Sequence, residues 1–309
     1  KVVIDAQVAE KAPFFSGRTI RGVKNGPSPA WLQKRLTAIG LRPINALVDI
    51  TNFFTYDLNR PLHVFDADKV RGDLTVRPSV AGEELLALDG KTYAFAPDTM
   101  IIADENGPES IAGIMGGEVS GCSDDTVNVF LESAYWDPIA VATVGRALKI
   151  NSDARYRFER GVDPAFTQPG LELATRMVLE LCGGEASEVV TAGAVPDTTR
   201  SYVLDPARVI SLVGMDIPAD AQRRTLTALG FRLEGDQAFV PSWRPDVQGS
   251  ADLVEEVARI ASLTPSQLRI LEGLRAGRLN KQIAFDLGVT EATIKAHLTS
   301  VFRKLGVHN

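Results

Sequence analysis

The chain has 309 residues and a mass of 33.3 kDa, with 45% hydrophobic and 23% charged residues, enough for two or three domains with cores of their own; disorder and fibrous architecture are excluded. Its 39 acidic residues against 33 Lys plus Arg leave a formal net charge of −6, so any contact with nucleic acid has to be local. No apolar run approaches the ~18–20 residues of a membrane span. The start, Lys1-Val2-Val3-Ile4-Asp5, has neither signal-peptide regions nor an initiator Met and reads as the start of an internal fragment. Cys122 and Cys182 have no CxxC partner or nearby His cluster, which argues against a thiolate zinc site and a disulfide framework and suits a reducing cytoplasm.

In chain order, the first helix is expected over 28–39, with Pro29 near its start and Gly40 after it. Leu47-Val48-Asp49-Ile50, Leu74-Thr75-Val76 and Met100-Ile101-Ile102-Ala103 read as strands, and Asp89-Gly90 as the turn of a hairpin. A helix over 165–182 is closed by Gly183-Gly184. Strand runs with occasional helices and no regular βαβ alternation make residues 1–195 an α+β, mixed-sheet domain. Residues 194–200, with Pro196 and Asp197-Thr198-Thr199, read as a linker. Helices over 206–212 and 219–229, a strand pair around 231–233 and 238–240, and a helix over 250–260 give 196–260 a small winged-helix-like pattern.

The last segment differs in charge. Residues 261–309 hold seven basic and three acidic residues, a net of +4, so the first 260 carry −10. A tail of opposite sign is expected to be a separate module with its own partner.

Two features invite a functional reading. His63, the only histidine before residue 297, sits in Arg60-Pro61-Leu62-His63-Val64-Phe65-Asp66; taken alone it is as well explained as a packed histidine bonded to backbone. The run Gly113-Ile114-Met115-Gly116-Gly117-Glu118 lacks the Gly-Lys-Ser/Thr ending of a phosphate loop and reads as turns.

Together with Pro27-Ser28-Pro29-Ala30-Trp31-Leu32, Val48-Asp49-Ile50-Thr51-Asn52, Phe130-Leu131-Glu132-Ser133-Ala134, the run from Ser152 to Pro164, and Pro241-Ser242-Trp243-Arg244-Pro245-Asp246, these segments resemble, in order and spacing, the β subunits of bacterial phenylalanyl-tRNA synthetases. The resemblance covers 1–260 and implies a B3/B4 editing domain over 1–195, followed by a B5 domain over 196–260. It implies hydrolysis of tyrosine wrongly esterified to tRNA(Phe), with tRNA(Phe) and a separate synthetase α subunit as partners. A pocket preferring Tyr over Phe needs a buried polar group for the extra hydroxyl. By resemblance that group is Glu132; Gly113, Gly116, Ser152 and Ala154 shape the substrate site, and His63, Asn52 and Thr51 hold the ester and the attacking water. The apolar residues flanking Glu132 predict that it is buried.

Asp246, Asp252, Glu255 and Glu256 put four carboxylates in eleven residues. On pattern they are either a solvated helix N-terminus, where acids are favoured, or oxygen ligands suited to Mg²⁺. The resemblance implies Mg²⁺ shared with the α subunit.

After Ile260 the resemblance changes. Thr264, Pro265 and Gln267 form a capping-box start for a helix over 265–276; 280–289 gives a second helix with a Gly turn, and 290–307 a third. From Leu263 onward the chain is similar to LuxR-type helix-turn-helix modules. That resemblance implies that the third helix enters the major groove of duplex DNA, with Lys295, Ala296 and Thr299 facing the bases and Lys281 with Arg303 or Lys304 on phosphates. The switch within one helix at 260–262 reads as the joining of two pieces. An alternative is a DNA-binding regulator that uses the aminoacyl-recognition domain as a sensor.

Overall fold

The computed structural model describes residues 1–305, and the chain divides into two compact units, Lys1–Thr198 and Thr199–Asn309. In the first unit the order is β1 (Val2–Ile4), β2 (Phe14–Arg21), α1 (Ala30–Ala38), α2 (Ala46–Asp57), β3 (His63–Asp66), β4 (Leu74–Pro78), β5 (Glu84–Leu86), β6 (Thr92–Ala94), β7 (Met100–Ala103), β8 (Pro108–Ile111), β9 (Met115–Gly116), β10 (Asn128–Tyr135), α3 (Pro138–Ala147), α4 (Asp153–Phe158), α5 (Thr167–Cys182), β11 (Glu185–Ala186) and β12 (Val190–Gly193). The second holds β13 (Ser201–Val203), α6 (Pro206–Val213), α7 (Ala219–Ala228), β14 (Arg232–Glu234), β15 (Gln237–Phe239), α8 (Ser250–Ala261), α9 (Pro265–Arg275), α10 (Asn280–Leu287) and α11 (Glu291–Leu305). The class is α+β, with mixed sheets followed by an all-helical end.

Among the described residues, the first unit builds one sheet in the order β1-β4-β7-β8-β9, with β1 parallel to β4 and the other pairs antiparallel, and another in the order β11-β2-β10-β3 with β12 also on β2. Side chains alternate across a strand, and β10 shows what that means here. Phe130 and Ala134 join the core that includes Val76, Ile101 and Ile111 of the first sheet. Val129 and Leu131 join the core with Leu36, Leu47 and Ile50 of α1 and α2 and Leu171 and Val178 of α5. The β10 sheet is therefore covered on both faces, which is why its central strand is a nearly unbroken apolar run. Glu132 interrupts that run on the Phe130 face, between the two sheets.

Leu47 to Ile50, expected as a strand, lies in α2. The Asn45 side chain caps the helix by accepting from Val48 N at 3.1 Å. Leu47, Ile50, Thr51 and Phe54 then bury one helical face, a period that outweighs the aliphatic run. The Asp89-Gly90 turn does join the antiparallel pair β5 and β6, with Gly90 at φ +77°.

In the second unit, β13 pairs with β15 and completes a three-stranded sheet, a strand the sequence pattern did not reveal. Leu204, Val209, Leu226, Val240, Leu253 and Val257 share its core. The end of the chain has a core of its own, Ile270, Ile283, Ala284, Ile294 and Leu298. The expected capping box is present: Thr264 Oγ1 accepts from Gln267 N and Gln267 Oε1 accepts from Thr264 N. Positions 306–307, where the last helix was expected to end, lie outside the described residues.

Candidate functional site

The site begins with a register. In the antiparallel pair of β10 and β3, Glu132 lies directly opposite His63, so the two side chains leave the same face of the sheet as near neighbours. Both enter a pocket of about 60 Å³ whose wall also includes Gly113, Met115, Gly116, Trp136, Ala154 and Phe158. Three strands, the turn before β9, and α4 thus converge on one point.

Both titratable groups are driven toward neutrality. Glu132 is 6% exposed, and burial pushes its carboxyl up to about 8. Burial lowers His63 to about 4, although the residue is half-buried overall, because its Nε2 is wholly enclosed. Low polarity disfavours whichever form carries charge. Near pH 7 the pair is an uncharged carboxylic acid beside an uncharged imidazole. Glu132 Oε2, His63 Nε2 and Trp136 Nε1 are enclosed and lack hydrogen-bond partners among the described residues. Buried polar atoms are ordinarily satisfied, so three unsatisfied ones around a single pocket describe a site shaped for a polar guest.

The glycines are there for space. A Cβ on Gly116 would stand 2.3 Å from His63 Cε1, and one on Gly113, at φ +71°, 2.7 Å from Trp136 Cδ1. The imidazole also meets Phe65 edge-on, with ring centroids 4.3 Å apart, and has little room to yield. Gly116→Ala is therefore expected to lower stability by ~1–3 kcal/mol through overpacking, read from the urea midpoint; an unchanged midpoint would mean that the ring moves freely.

Ser152 acts one step back. Its hydroxyl donates to Ile114 O at 2.6 Å and accepts from Arg155 N, capping α4, which ties the 113–116 turn to the helix that carries Ala154. Thr51 and Asn52 lie on α2 and do not line the pocket. The Thr51 hydroxyl donates to Val48 O at 2.8 Å within its own helix. Two contributors escaped sequence reasoning. Trp136, which lines the pocket with an enclosed Nε1, lies four residues after Glu132 and carries no sequence signal beyond its apolar ring. Arg60 is wholly buried and donates to Ala134 O at 2.8 Å and Asp163 O at 2.5 Å, fastening the Glu132 strand to the segment after α4. A charged residue between Asn59 and Pro61 gave no sign of being a brace.

The acids near residue 250 do not fit a Mg²⁺ site as they stand. Arg244 clamps both Asp246 oxygens, at 2.8 and 2.6 Å, and also reaches Glu256 at 2.7 Å. Asp252 accepts from Gln248 N, and Glu255 pairs with Arg259. Among the described residues no group of three or more His, Cys, Asp and Glu side chains is arranged to hold a metal.

At the end of the chain, Lys281 on α10 and Lys295, Ala296 and Thr299 on α11 are exposed. Lys295 pairs with Glu291 at 3.0 Å and Thr299 Oγ1 donates to Lys295 O. Lys304 is engaged internally, donating to Ser262 O and Gln267 Oε1, whereas Arg303 is exposed. Among the described residues no helix is long and apolar enough to cross a membrane.

Comparison with known proteins gives three family matches in succession: a B3/4 domain over residues 11–183, a tRNA synthetase B5 domain over 202–262, and bacterial regulatory proteins of the luxR family over 261–309. The phenylalanine–tRNA ligase β subunit of Cereibacter sphaeroides is 65% identical over 97% of the chain, and that of Ruegeria pomeroyi 68% over 90%. The matched region spans only 37% and 35% of those relatives' lengths. An N-terminal fragment of the Pyrococcus horikoshii phenylalanyl-tRNA synthetase β subunit aligns with a TM-score of 0.39 and 13% identity, covering 84% of this chain and 73% of that one. The chain belongs to the B3/4 domain family, continued by a tRNA synthetase B5 domain and a luxR-family helix-turn-helix module, and is similar to phenylalanine–tRNA ligase β subunits.

Proposed function

We propose that the B3/4 pocket hydrolyses tyrosine esterified to tRNA(Phe). One observation carries the proposal: the buried Glu132 carboxyl, whose Oε2 has no hydrogen-bond partner among the described residues, sits in a narrow pocket walled by Trp136, Phe158, Ile114 and glycines. An aromatic ring fits such walls, and a phenol hydroxyl both donates to and accepts from a neutral carboxylic acid. Phenylalanine would seal the same acid from water without replacing its hydrogen bonds, a penalty of ~1–3 kcal/mol. The reaction is ester cleavage: water adds to the aminoacyl carbonyl and the bond to the ribose oxygen breaks, releasing tyrosine and free tRNA. His63, uncharged and opposite Glu132, is the group suited to orient that water or move its proton. Ser152 keeps the 113–116 turn in place, and roles for Thr51 and Asn52 at the ester need approach from α2.

By kinship with the ligase β subunits, tRNA(Phe) and a synthetase α subunit are the proposed partners. A Mg²⁺ at Asp246, Asp252, Glu255 and Glu256 in that assembly requires Arg244 to be displaced. Calorimetric titration with non-hydrolysable adenosine amides of the two amino acids tests the recognition step. The tyrosyl compound is expected to bind at least ~10-fold more tightly; equal affinities would refute it.

The exposed face of α11, with Lys281 on α10, supports a second reading, in which the chain binds duplex DNA as a regulator. Lys281→Ala is then expected to weaken binding across sequences and reduce the salt slope by about 0.9, one phosphate contact; Lys295→Ala should also change sequence preference. The −10 carried by the first 260 residues keeps this binding weak. Absence of salt-dependent binding at ~50 mM salt would end this reading.

A further inference from the structure

The helix that walls the pocket has a second face. Ala154 and Phe158 of α4 line the pocket, while Tyr156, on the other side of the helix, is 57% exposed. The Arg160 guanidinium lies over the Tyr156 ring at 3.7 Å from its centroid, held there by donating to Tyr156 O and Glu159 Oε1. Beside it a second stack repeats the pairing: Arg157 lies 4.3 Å from the centroid of Tyr56, whose hydroxyl donates to Asp153 at 2.6 Å. A groove of about 310 Å³ runs along this face past Asn151, Asp153 and Tyr156.

The surroundings are positive in a negative molecule. Residues 146–160 contain five basic and two acidic side chains, against −6 for the chain. Both acids are already engaged, Glu159 by Arg155 and Arg160 and Asp153 by Arg157. Arg146 in the last turn of α3 and Lys149 just beyond it are exposed and make no ion pair among the described residues. Arg155 holds this segment against α4 by donating to Ile150 O and Asn151 Oδ1.

We infer that the Tyr156–Arg160 stack, backed by Tyr56–Arg157, is a stacking platform for the unpaired 3′ nucleotides of an RNA. The inference rests on reading the adjacent pocket as the place where the terminal aminoacyl group lodges. Aromatic rings and guanidinium planes take bases of any identity, and flanking cations follow the phosphates. The geometry suits a short overhang. A helix is about 10–12 Å across and a stacked strand advances about 3.4 Å per nucleotide, so about three nucleotides carry the chain from the pocket around α4 to Tyr156. A duplex, with its bases paired, presents nothing to such a platform.

The test is fluorescence-anisotropy titration of the full chain with two unacylated RNA hairpins, identical except that one has four unpaired 3′ nucleotides and the other is blunt. The overhang hairpin should bind more tightly. Tyr156→Ala and Arg160→Ala should each weaken that binding by roughly 10-fold, the loss of one stacked base, and leave the blunt hairpin alone. Tyr156→Phe, which keeps the ring, should bind like the parent. Because the helix-turn-helix end is the same in every variant, its own affinity for RNA drops out of the comparison. An overhang hairpin bound no better than the blunt one, or bound equally by Tyr156→Ala and the parent, overturns the platform. Neither hairpin carries an amino acid, so a pocket that proved indifferent to tyrosine would leave this result standing, and a failed platform would leave the Glu132 result standing.

Discussion

Glu132→Ala should reduce the preference for tyrosyl over phenylalanyl substrate by roughly 100-fold while leaving the fold intact. The carboxyl has no partner among the described residues, so its removal breaks no internal hydrogen bond, and the loss falls on the guest's hydroxyl. Glu132→Gln adds a reading independent of catalysis. In the unfolded chain the carboxyl gives up its proton above its ordinary 4.5, whereas in the fold burial makes it keep the proton to about 8. Between those values the folded state binds more protons than the unfolded one. Stability therefore falls as pH rises through that window, by at most ~1.4 kcal/mol per pH unit, and levels off above it. Glu132→Gln, with nothing to ionise, should gain stability relative to the parent from pH 5 to pH 8 in paired urea melts. A constant difference would mean that the carboxyl is ionised in the fold. His63, held at about 4, should contribute no titration step to hydrolysis between about pH 5.5 and 8.

Ala154→Trp should abolish hydrolysis, by at least ~100-fold, in a protein that still unfolds cooperatively. Ala154 is half-buried at the edge of a pocket of about 60 Å³, and an indole there fills the space the substrate ring needs. The expected cost to stability is modest, ~1–3 kcal/mol, because the added bulk can use the pocket itself. Circular dichroism melts beside initial rates separate the two effects. A folded variant with parental rates would put the substrate somewhere other than between Ala154, Trp136 and Gly113.

How much of this was legible in the sequence depended on whether the deciding signal was local. Burial of Glu132 could be read because Phe130-Leu131 before it and Ala134-Tyr135-Trp136 after it make a strand covered on both faces. The capping box at Thr264 and Gln267 is likewise written within four residues. By contrast, Leu47 to Ile50 is too short an aliphatic run to distinguish a strand from a helix, and the outcome hung on Asn45 just outside it. β13, three residues long, is stabilised by pairing with β15 and has no pattern of its own. The partners of the acids near residue 250 were illegible for a different reason. Spacing says which carboxylates share a helix face, but not that Arg244 folds back to hold Asp246 and Glu256. Spacing is equally silent on Lys304, whose ammonium donates to Ser262 O and Gln267 Oε1. The proposed editing role was suggested only by resemblance, since Glu132 and His63 are 69 residues apart and meet only through strand register.

Selection of tyrosine for removal from tRNA(Phe) is the role proposed for this pocket. Initial rates of deacylation of tyrosyl-tRNA(Phe) and phenylalanyl-tRNA(Phe) by the full chain, side by side at pH 7, test it most directly. Tyrosine release is expected to be faster than phenylalanine release by at least ~100-fold, with the difference abolished in Glu132→Ala. Equal rates for the two substrates, or a selectivity that survives loss of Glu132, would contradict it.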